Sequence, residues 1–307
     1  MLVGLVTNPN SSKDIRRLTT LARVIDIEEK ANLVARLLVG LGSIRGVNVL
    51  AVDDQAGLVR RSVRLAGSPA APVEFIPMEV EGTEADTRRA ASRLAESDAA
   101  ALVTVGGDGT VRAAAEGWPR APLVPLAAGT NNAFALTDEP TVVGLATAMA
   151  ITSAADVFTA TTAIEVDTSE DRALAVIDAV VVRNTWIGAG AIWEAEELLE
   201  GLVTTSRRSA VGIASVSAAL GTLEGDHVRH IRFGGDRSVR AVFGPGLVLD
   251  VPVETHVDLP LGAELALDAS AGLVALDGER RLPAENGVAR VVEGPRVLDL
   301  EAAMKVF

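Results

Sequence analysis

The 307-residue sequence predicts an α/β protein, with an N-terminal layered domain on a parallel sheet and a mostly β C-terminal domain. Three observations predict it. Up to residue 137, short apolar runs alternate with helix-length amphipathic segments, which requires right-handed crossovers and helices on both faces of a parallel sheet. From Thr161 onward, Gly and Pro punctuate β-rich runs at roughly 8–12-residue spacing, the rhythm of an antiparallel sandwich. Two of the apolar runs lead directly into glycine-rich loops, Gly106–Thr110 and Ala127–Asn132.

Leu2–Thr7 reads as a buried strand, and Asn8–Lys13 as a polar turn into a helix capped by Ser11 or Ser12. Lys13, Arg16 and Arg17 add positive charge there. Beside Gly106–Thr110, Asn8 and Lys13 are natural nucleotide-phosphate contacts; elsewhere the same residues make a capped surface helix with a solvated lysine. Glu28–Leu41 has Leu33, Leu37, Leu38 and Leu41 at helical spacing, with Gly42 as a stop. Val47–Val52 is the next strand. Asp53 and Asp54 end it as loop acids, since their spacing from any GxGxxG is wrong for a ribose contact. Gln55–Leu65 reads as a helix, Val73–Met78 as a strand and Thr83–Ala95 as a helix.

Ala101–Val105 is an apolar run of the kind buried on both faces of a parallel sheet. Gly106, Gly107, Asp108, Gly109 and Thr110 come directly after it, and a helical pattern starts near Val111 and runs to about Glu116. A helix start favours an anion by about 0.3–1 kcal/mol. Glycines there permit φ > 0 and close approach to a phosphate. Asp108 is the exception, because a carboxylate repels phosphate unless it binds a metal ion or accepts a proton from an attacking hydroxyl. That combination points to phosphoryl transfer. Leu123–Leu126 reads as the next strand, and Gly129, Thr130, Asn131 and Asn132 form a second polar loop before a turn of helix at Ala133–Leu136. Asn131 and Asn132 can each donate to and accept from a nucleotide or a second hydroxyl substrate. Polar loops at the carboxyl ends of adjacent strands lie where open α/β sheets bind ligands.

Thr141–Thr152 is one more helix. The strands Thr161–Asp167, Ala173–Arg183, Val228–Phe233 and Val239–Phe243 come next, with Ala191–Leu199 and Ala210–Leu220 reading as helical. The domains expected are 1–137, a nucleotide-binding α/β unit, and 138–294, a β-rich unit. Asp178 interrupts an apolar strand that Arg183 and Asn184 close, so its carboxylate is either paired structurally or placed at a site. Asp277-Gly278-Glu279 is a tight turn with the strongest short hairpin signal. His227, His230 and His256 lack metal-ligand spacing, and no residue set is assigned to a metal.

Formal net charge is −13 and the pI about 4.8, a surface that repels nucleic acid and anionic membrane. There is no cysteine, so no disulfide framework or thiolate metal site exists, and a cytoplasmic location is the default. The N-terminus reads as a strand rather than a signal peptide, and the apolar run Ala173–Val182 is too short to span a bilayer.

GGDGT at 106–110, with GTNN after it at 129–132, resembles the superfamily of NAD kinases, diacylglycerol kinases and sphingosine kinases. Within it, NPNSSKDIRRL, ARVIDIEEKANLVARLLVGL and LDGER are most similar to the ATP-NAD kinase-like family related to acetoin catabolism protein X. The resemblance implies a phosphofructokinase-like first domain, with the segment 295–307 returning to it. It implies an ATP- and Mg²⁺-dependent kinase acting on a substrate hydroxyl, for NAD the adenosine 2′-hydroxyl. Asp108 would be the base, Gly106, Gly107, Gly109 and Thr110 phosphate contacts, and Asn131 and Asn132 the residues that orient the acceptor. Asn184 lies where NAD kinases carry a polar motif, and Asp277 or Glu279 would support the site from the second domain. Relatives self-associate, so a homo-oligomer is expected, with small-molecule nucleotides as partners and neither nucleic acid nor membrane. NAD kinases also hold adenine with a Ser-Thr-Ala-Tyr stretch, and this chain has no tyrosine. The alternatives are a lipid or small-polyol kinase of the diacylglycerol kinase type, and a non-catalytic nucleotide-binding regulator of acetoin-type catabolism.

Overall fold

The computed structural model describes residues 1–11, 20–22, 24–129, 132–153, 155–183, 195–267, 272–278 and 280–306. Two compact units emerge: residues 1–12, 24–160 and 295–307, and residues 13–23 and 161–294.

The first unit alternates β1 (Leu2–Thr7), α1 (Ile27–Gly42), β2 (Asn48–Val52), α2 (Leu58–Ala66), β3 (Val73–Ile76), α3 (Glu84–Glu96), β4 (Ala101–Gly106), α4 (Asp108–Gly117), β5 (Pro122–Ala127) and α5 (Pro140–Ser153). Its strands pair in parallel in the order β3-β2-β1-β4-β5. The direction of winding reverses between β1 and β4, and the carboxyl ends of the strands at such a switch point are where open α/β sheets hold ligands.

Why these segments form these elements is visible in what they bury. Val3, Leu5, Val49, Val103, Val105 and Leu126 turn one face of the sheet toward Leu37, Leu38 and Leu41 of α1, Val59 of α2 and Val143 of α5. Each buried side chain of this size contributes about 1.5–3 kcal/mol. On this face α1 and α5 cross backbone to backbone at two glycines. A Cβ on Gly40 would overlap Thr141 O and sit 2.8 Å from Leu145 N, and one on Gly144 would overlap Leu37 O. On Gly4 of β1 a Cβ would meet Leu94 of α3, 2.9 Å away.

The second unit contains β6 (Phe158–Asp167) from Thr161 on, β7 (Arg172–Ala175), β8 (Asp178–Val182), a 3-10 turn at Ala195–Glu197, β9 (Leu198–Val203), α6 (Ile213–Leu220), β10 (Val228–Gly244), β11 (Leu247–Leu259), β12 (Glu264–Ala266), β13 (Leu273–Leu276), β14 (Arg280–Pro283) and the start of β15 (Val288–Leu298). One antiparallel sheet runs β11-β10-β9-β8-β13-β14. Val181, Leu202, Val228 and Val274 from it share a core with Ile164 and Val166 of β6, Ala175 of β7 and Val291 of β15. The outcome is two β layers around one apolar interior. The end of β15 belongs to the first unit, where Arg296 and Val297 run parallel to Pro122 and Leu123 of β5, and α7 (Leu300–Ala303) completes the chain's elements.

The α/β class with a parallel N-terminal sheet and a β-rich C-terminal half is what the sequence predicts; several elements differ. Helix α4 starts at Asp108, not Val111, because Gly107 takes the N-cap position and Asp108 opens the first turn, where an acid is favoured. Residues 133–135 are bends rather than a turn of helix, and Leu136 forms an isolated parallel bridge to Leu126. The run Ala173–Arg183 is two strands, broken at Val176-Ile177 where their amides are taken by a side chain. Of the expected helix Ala191–Leu199, residues 191–194 lie outside the described residues. Ala195–Glu197 is only a short 3-10 turn, and Leu198 already opens β9, held between β8 and β10. Val228–Phe233 and Val239–Phe243 are one strand with bulges. Among the described residues no helix is long and apolar enough to cross a membrane.

Candidate functional site

Three loops converge at the carboxyl ends of β1, β4 and β5. Asn8 leaves β1 with its amide bonded to Val105 O at 2.9 Å, which seats the first loop on the end of β4. Its carboxamide Nδ2 donates to Thr110 Oγ1 at 3.0 Å, in the first turn of α4. Ser11 Oγ donates to Ala128 O at 2.8 Å, joining the same loop to the one after β5. Ala128 N in turn donates to Gly106 O at 2.8 Å. The Asn8 turn therefore lies beside Gly106–Thr110.

Gly106 and Gly129 are needed here for space, not for a left-handed backbone. Gly107 has φ −99° and ψ −173°, and Gly106, Gly109 and Gly129 are not among the positive-φ glycines, so the expected φ > 0 does not occur. What the positions exclude is a Cβ. One on Gly129 would overlap Gly107 Cα and sit 2.9 Å from Gly107 N, and one on Gly106 would press on Thr110 at 2.7 Å from its Cβ. Loop and helix start are in direct backbone contact, which only glycine allows.

Asp108 is buried, with 8% of its surface exposed. Its Oδ2 accepts from Ala133 N at 2.9 Å and its Oδ1 from Phe134 N at 3.1 Å. The carboxylate thus clasps the segment after β5 while sitting at the start of α4. Asn132 closes its own loop, Nδ2 donating to Gly129 O and Oδ1 accepting from Gly129 N, each at 3.0 Å. Lys13, Thr130 and Asn131 lie outside the described residues. So the structure brings Asn8, Gly106, Gly107, Asp108, Gly109, Thr110, Gly129 and Asn132 to one place.

Lys30 was not legible as part of this place. Only 1% of it is exposed, and its Nζ donates to Pro9 O at 2.9 Å, Ser11 O at 2.5 Å and Asn8 O at 3.5 Å. The sequence does carry a signal: Lys30 precedes Val34, Leu37, Leu38 and Leu41 on the buried stripe of α1, where a lysine must find acceptors.

The remaining candidates have other surroundings. Asp54 accepts from Leu58 N and Val59 N and from Thr7 Oγ1, so it caps α2. Asp53 forms a bidentate pair with Arg60 at 2.8 and 2.7 Å, and that hydrogen-bonded partner holds its carboxyl below the ordinary aspartate value. Asp277 lies in the second unit, in a left-handed conformation at φ 51° at the turn between β13 and β14. Its buried carboxylate accepts from Val176 N, Ile177 N and Asp178 N at 2.8–3.1 Å, which makes it the clasp between that turn and the β7–β8 break. Asp178, half-buried, opens β8 and accepts Asp277 N through its carbonyl. Asn184 and Glu279 lie outside the described residues.

Among the described residues no group of three or more His, Asp or Glu side chains gathers to hold a metal ion alone. Mg²⁺ carried in by a nucleotide needs only one or two protein carboxylates besides the phosphates. A single Asp108 at the loops fits that donor set.

Residues 3–150 match the family model described as the ATP-NAD kinase N-terminal domain, and residues 162–293 match the acetoin catabolism protein X C-terminal domain. A curated relative, acetoin catabolism protein X of Cupriavidus necator (strain ATCC 17699 / DSM 428 / KCTC 22496 / NCIMB 10442 / H16 / Stanier 337), is 32% identical over 303 residues, covering 92% of this chain and 84% of its own. Among solved structures, a diacylglycerol kinase from Bacillus anthracis str. Sterne aligns with a TM-score of 0.46 and 10% identity over 96% of each chain. A putative diacylglycerol kinase from the same organism aligns with a TM-score of 0.46 and 9% identity over 94% of this chain and 93% of its own.

Proposed function

The chain belongs to the acetoin catabolism protein X family, and from that premise we propose that it is an ATP-dependent kinase that phosphorylates a substrate hydroxyl, with NAD as the first acceptor to test. The observation that carries the reading is the junction of the three loops, where Asn8 meets Thr110, Gly129 meets Gly107 and a buried carboxylate stands at the helix start. The match of residues 3–150 to the ATP-NAD kinase N-terminal domain supports the same class of chemistry.

In this reading the backbone of Gly106–Gly109 and the hydroxyl of Thr110 bind the donor phosphates, with Asn8 fixing the hydroxyl. The two asparagines of the second loop, Asn131 and Asn132, orient the acceptor. Asp108 takes the proton of the acceptor hydroxyl as its oxygen bonds to the terminal phosphorus and the phosphoanhydride bond to ADP breaks. Such general-base assistance contributes about 10²- to 10⁴-fold in rate. Mg²⁺ bound with the nucleotide would neutralise charge on the phosphates; were Asp108 to hold it, the carboxylate would serve as metal ligand in place of base.

Two specific observations keep the acceptor open. The chain has no tyrosine with which to hold adenine in the manner of NAD kinases, and its relative is named for acetoin catabolism. A small hydroxyl compound, acetoin included, is therefore the second reading of the acceptor. The experiment is ADP release from MgATP by the purified protein against NAD, NADH, acetoin, small polyols and diacylglycerol. Turnover on NAD or on one small hydroxyl compound selects the acceptor. Silence on all of them, with MgATP still bound, would replace the kinase by a nucleotide-binding regulator.

A further inference from the structure

The loop that brings Asn8 to the helix start turns three carbonyls, those of Asn8, Pro9 and Ser11, toward one point. That point is occupied by the ammonium of Lys30, at 3.5, 2.9 and 2.5 Å. An ammonium carries three donors and no acceptor, and these backbone carbonyls are acceptors for it. Burying this charge without acceptors would cost several kcal/mol, and with 1% of the residue exposed water does not substitute for them. The rest of the stripe anchors the lysine from below, since Val34, Leu37, Leu38 and Leu41 of the same helix are fully buried. Lys30 is thus held by the core and in turn holds the loop.

We propose that Lys30 is the positioning residue of the nucleotide site: its buried ammonium fixes the Asn8–Ser11 turn so that the Asn8 carboxamide stays on Thr110 Oγ1 at the start of α4. The inference rests on the kinase reading and deepens it. Lys30 acts on the donor nucleotide through Asn8. Its loss should therefore weaken the donor and leave the acceptor's KM unchanged.

The test is MgATP binding by calorimetry to the full chain and to Lys30→Met, Asn8→Ala and the double variant, with circular dichroism to verify folding. Lys30→Met should raise the Kd for MgATP by roughly tenfold, and the double variant should bind no more weakly than Asn8→Ala alone, because residues acting through one contact are not additive. An unchanged Kd in folded Lys30→Met, or additive effects in the double variant, would overturn the inference while leaving the kinase reading standing. Absence of MgATP binding by the unaltered protein would overturn the kinase reading itself. Should Lys30→Met not fold, Lys30→Gln keeps a shorter neutral donor and should show a smaller rise. Loss of folding in both would assign Lys30 to stability alone and end the proposal.

Discussion

Both oxygens of Asp108 are engaged by backbone amides of the segment after β5, which makes the residue an anchor as well as the proposed base. Asparagine keeps one acceptor oxygen and presents an NH₂ group to the other amide, leaving that N–H unpaired at about 1–3 kcal/mol. Asp108→Asn should accordingly abolish turnover and also lower the melting temperature by several degrees. Loss of turnover with unchanged melting would mean that the clasp contributes nothing to stability, and full activity would remove the base. Gly129→Ala is the complementary probe. Its new Cβ overlaps Gly107 Cα, so the two loops must part. MgATP affinity should fall by at least tenfold while far-UV dichroism stays native; equal affinity would show that the loop contact has no part in binding.

At the scale of elements, the crossing of α1 and α5 depends on Gly40 and Gly144 lying against the opposite backbone. Gly144→Val should cost about 1–3 kcal/mol by overpacking, read as a lower denaturant midpoint with an unchanged slope. In the second unit, Arg229 of β10 is buried, pairs with Asp258 of β11 at 2.7 and 2.9 Å, and donates to Ser217 O and Gly221 O at the end of α6. Arg229 hydrogen bonding holds the Asp258 carboxyl below its ordinary value, more than offsetting partial burial. A depressed native pKa contributes stability that is complete above the unfolded value, near pH 4, and lost as pH falls through the native one. Arg229→Met should flatten the stability-versus-pH curve below about pH 4, besides lowering stability at neutral pH; an unchanged acid limb would contradict the pair's contribution. Such elements differ in how far they can be read from sequence. The β4–α4 junction is legible because Gly-Gly-Asp-Gly-Thr is local, although glycine's poor helix propensity shifts the apparent helix start to Val111. β9 is not legible, because Glu194–Glu197 next to Leu198-Leu199 has a helical pattern that only pairing with β8 and β10 overrides.

For the molecule as a whole, a net charge of −13 sets what surfaces it approaches. Sedimentation with phosphatidylserine vesicles at about 0.1 M salt should leave the protein in the supernatant; co-sedimentation would revive a lipid acceptor at an anionic leaflet. The global architecture is legible because it rests on repeated patterns, apolar runs alternating with amphipathic segments and then strands punctuated by Gly and Pro. Long-range clasps are not: the partners of Asp277 include the amides of Val176, Ile177 and Asp178, and those of Lys30 include carbonyls of a loop preceding its helix. Neither partnership leaves a local trace beyond a polar residue where burial is expected. The measurement that bears most directly on the central claim is amide hydrogen exchange with and without MgATP. Protection concentrated at residues 8–11, 106–112 and 127–134 is the result the three-loop site predicts, and protection elsewhere, or none at saturating MgATP, would contradict it.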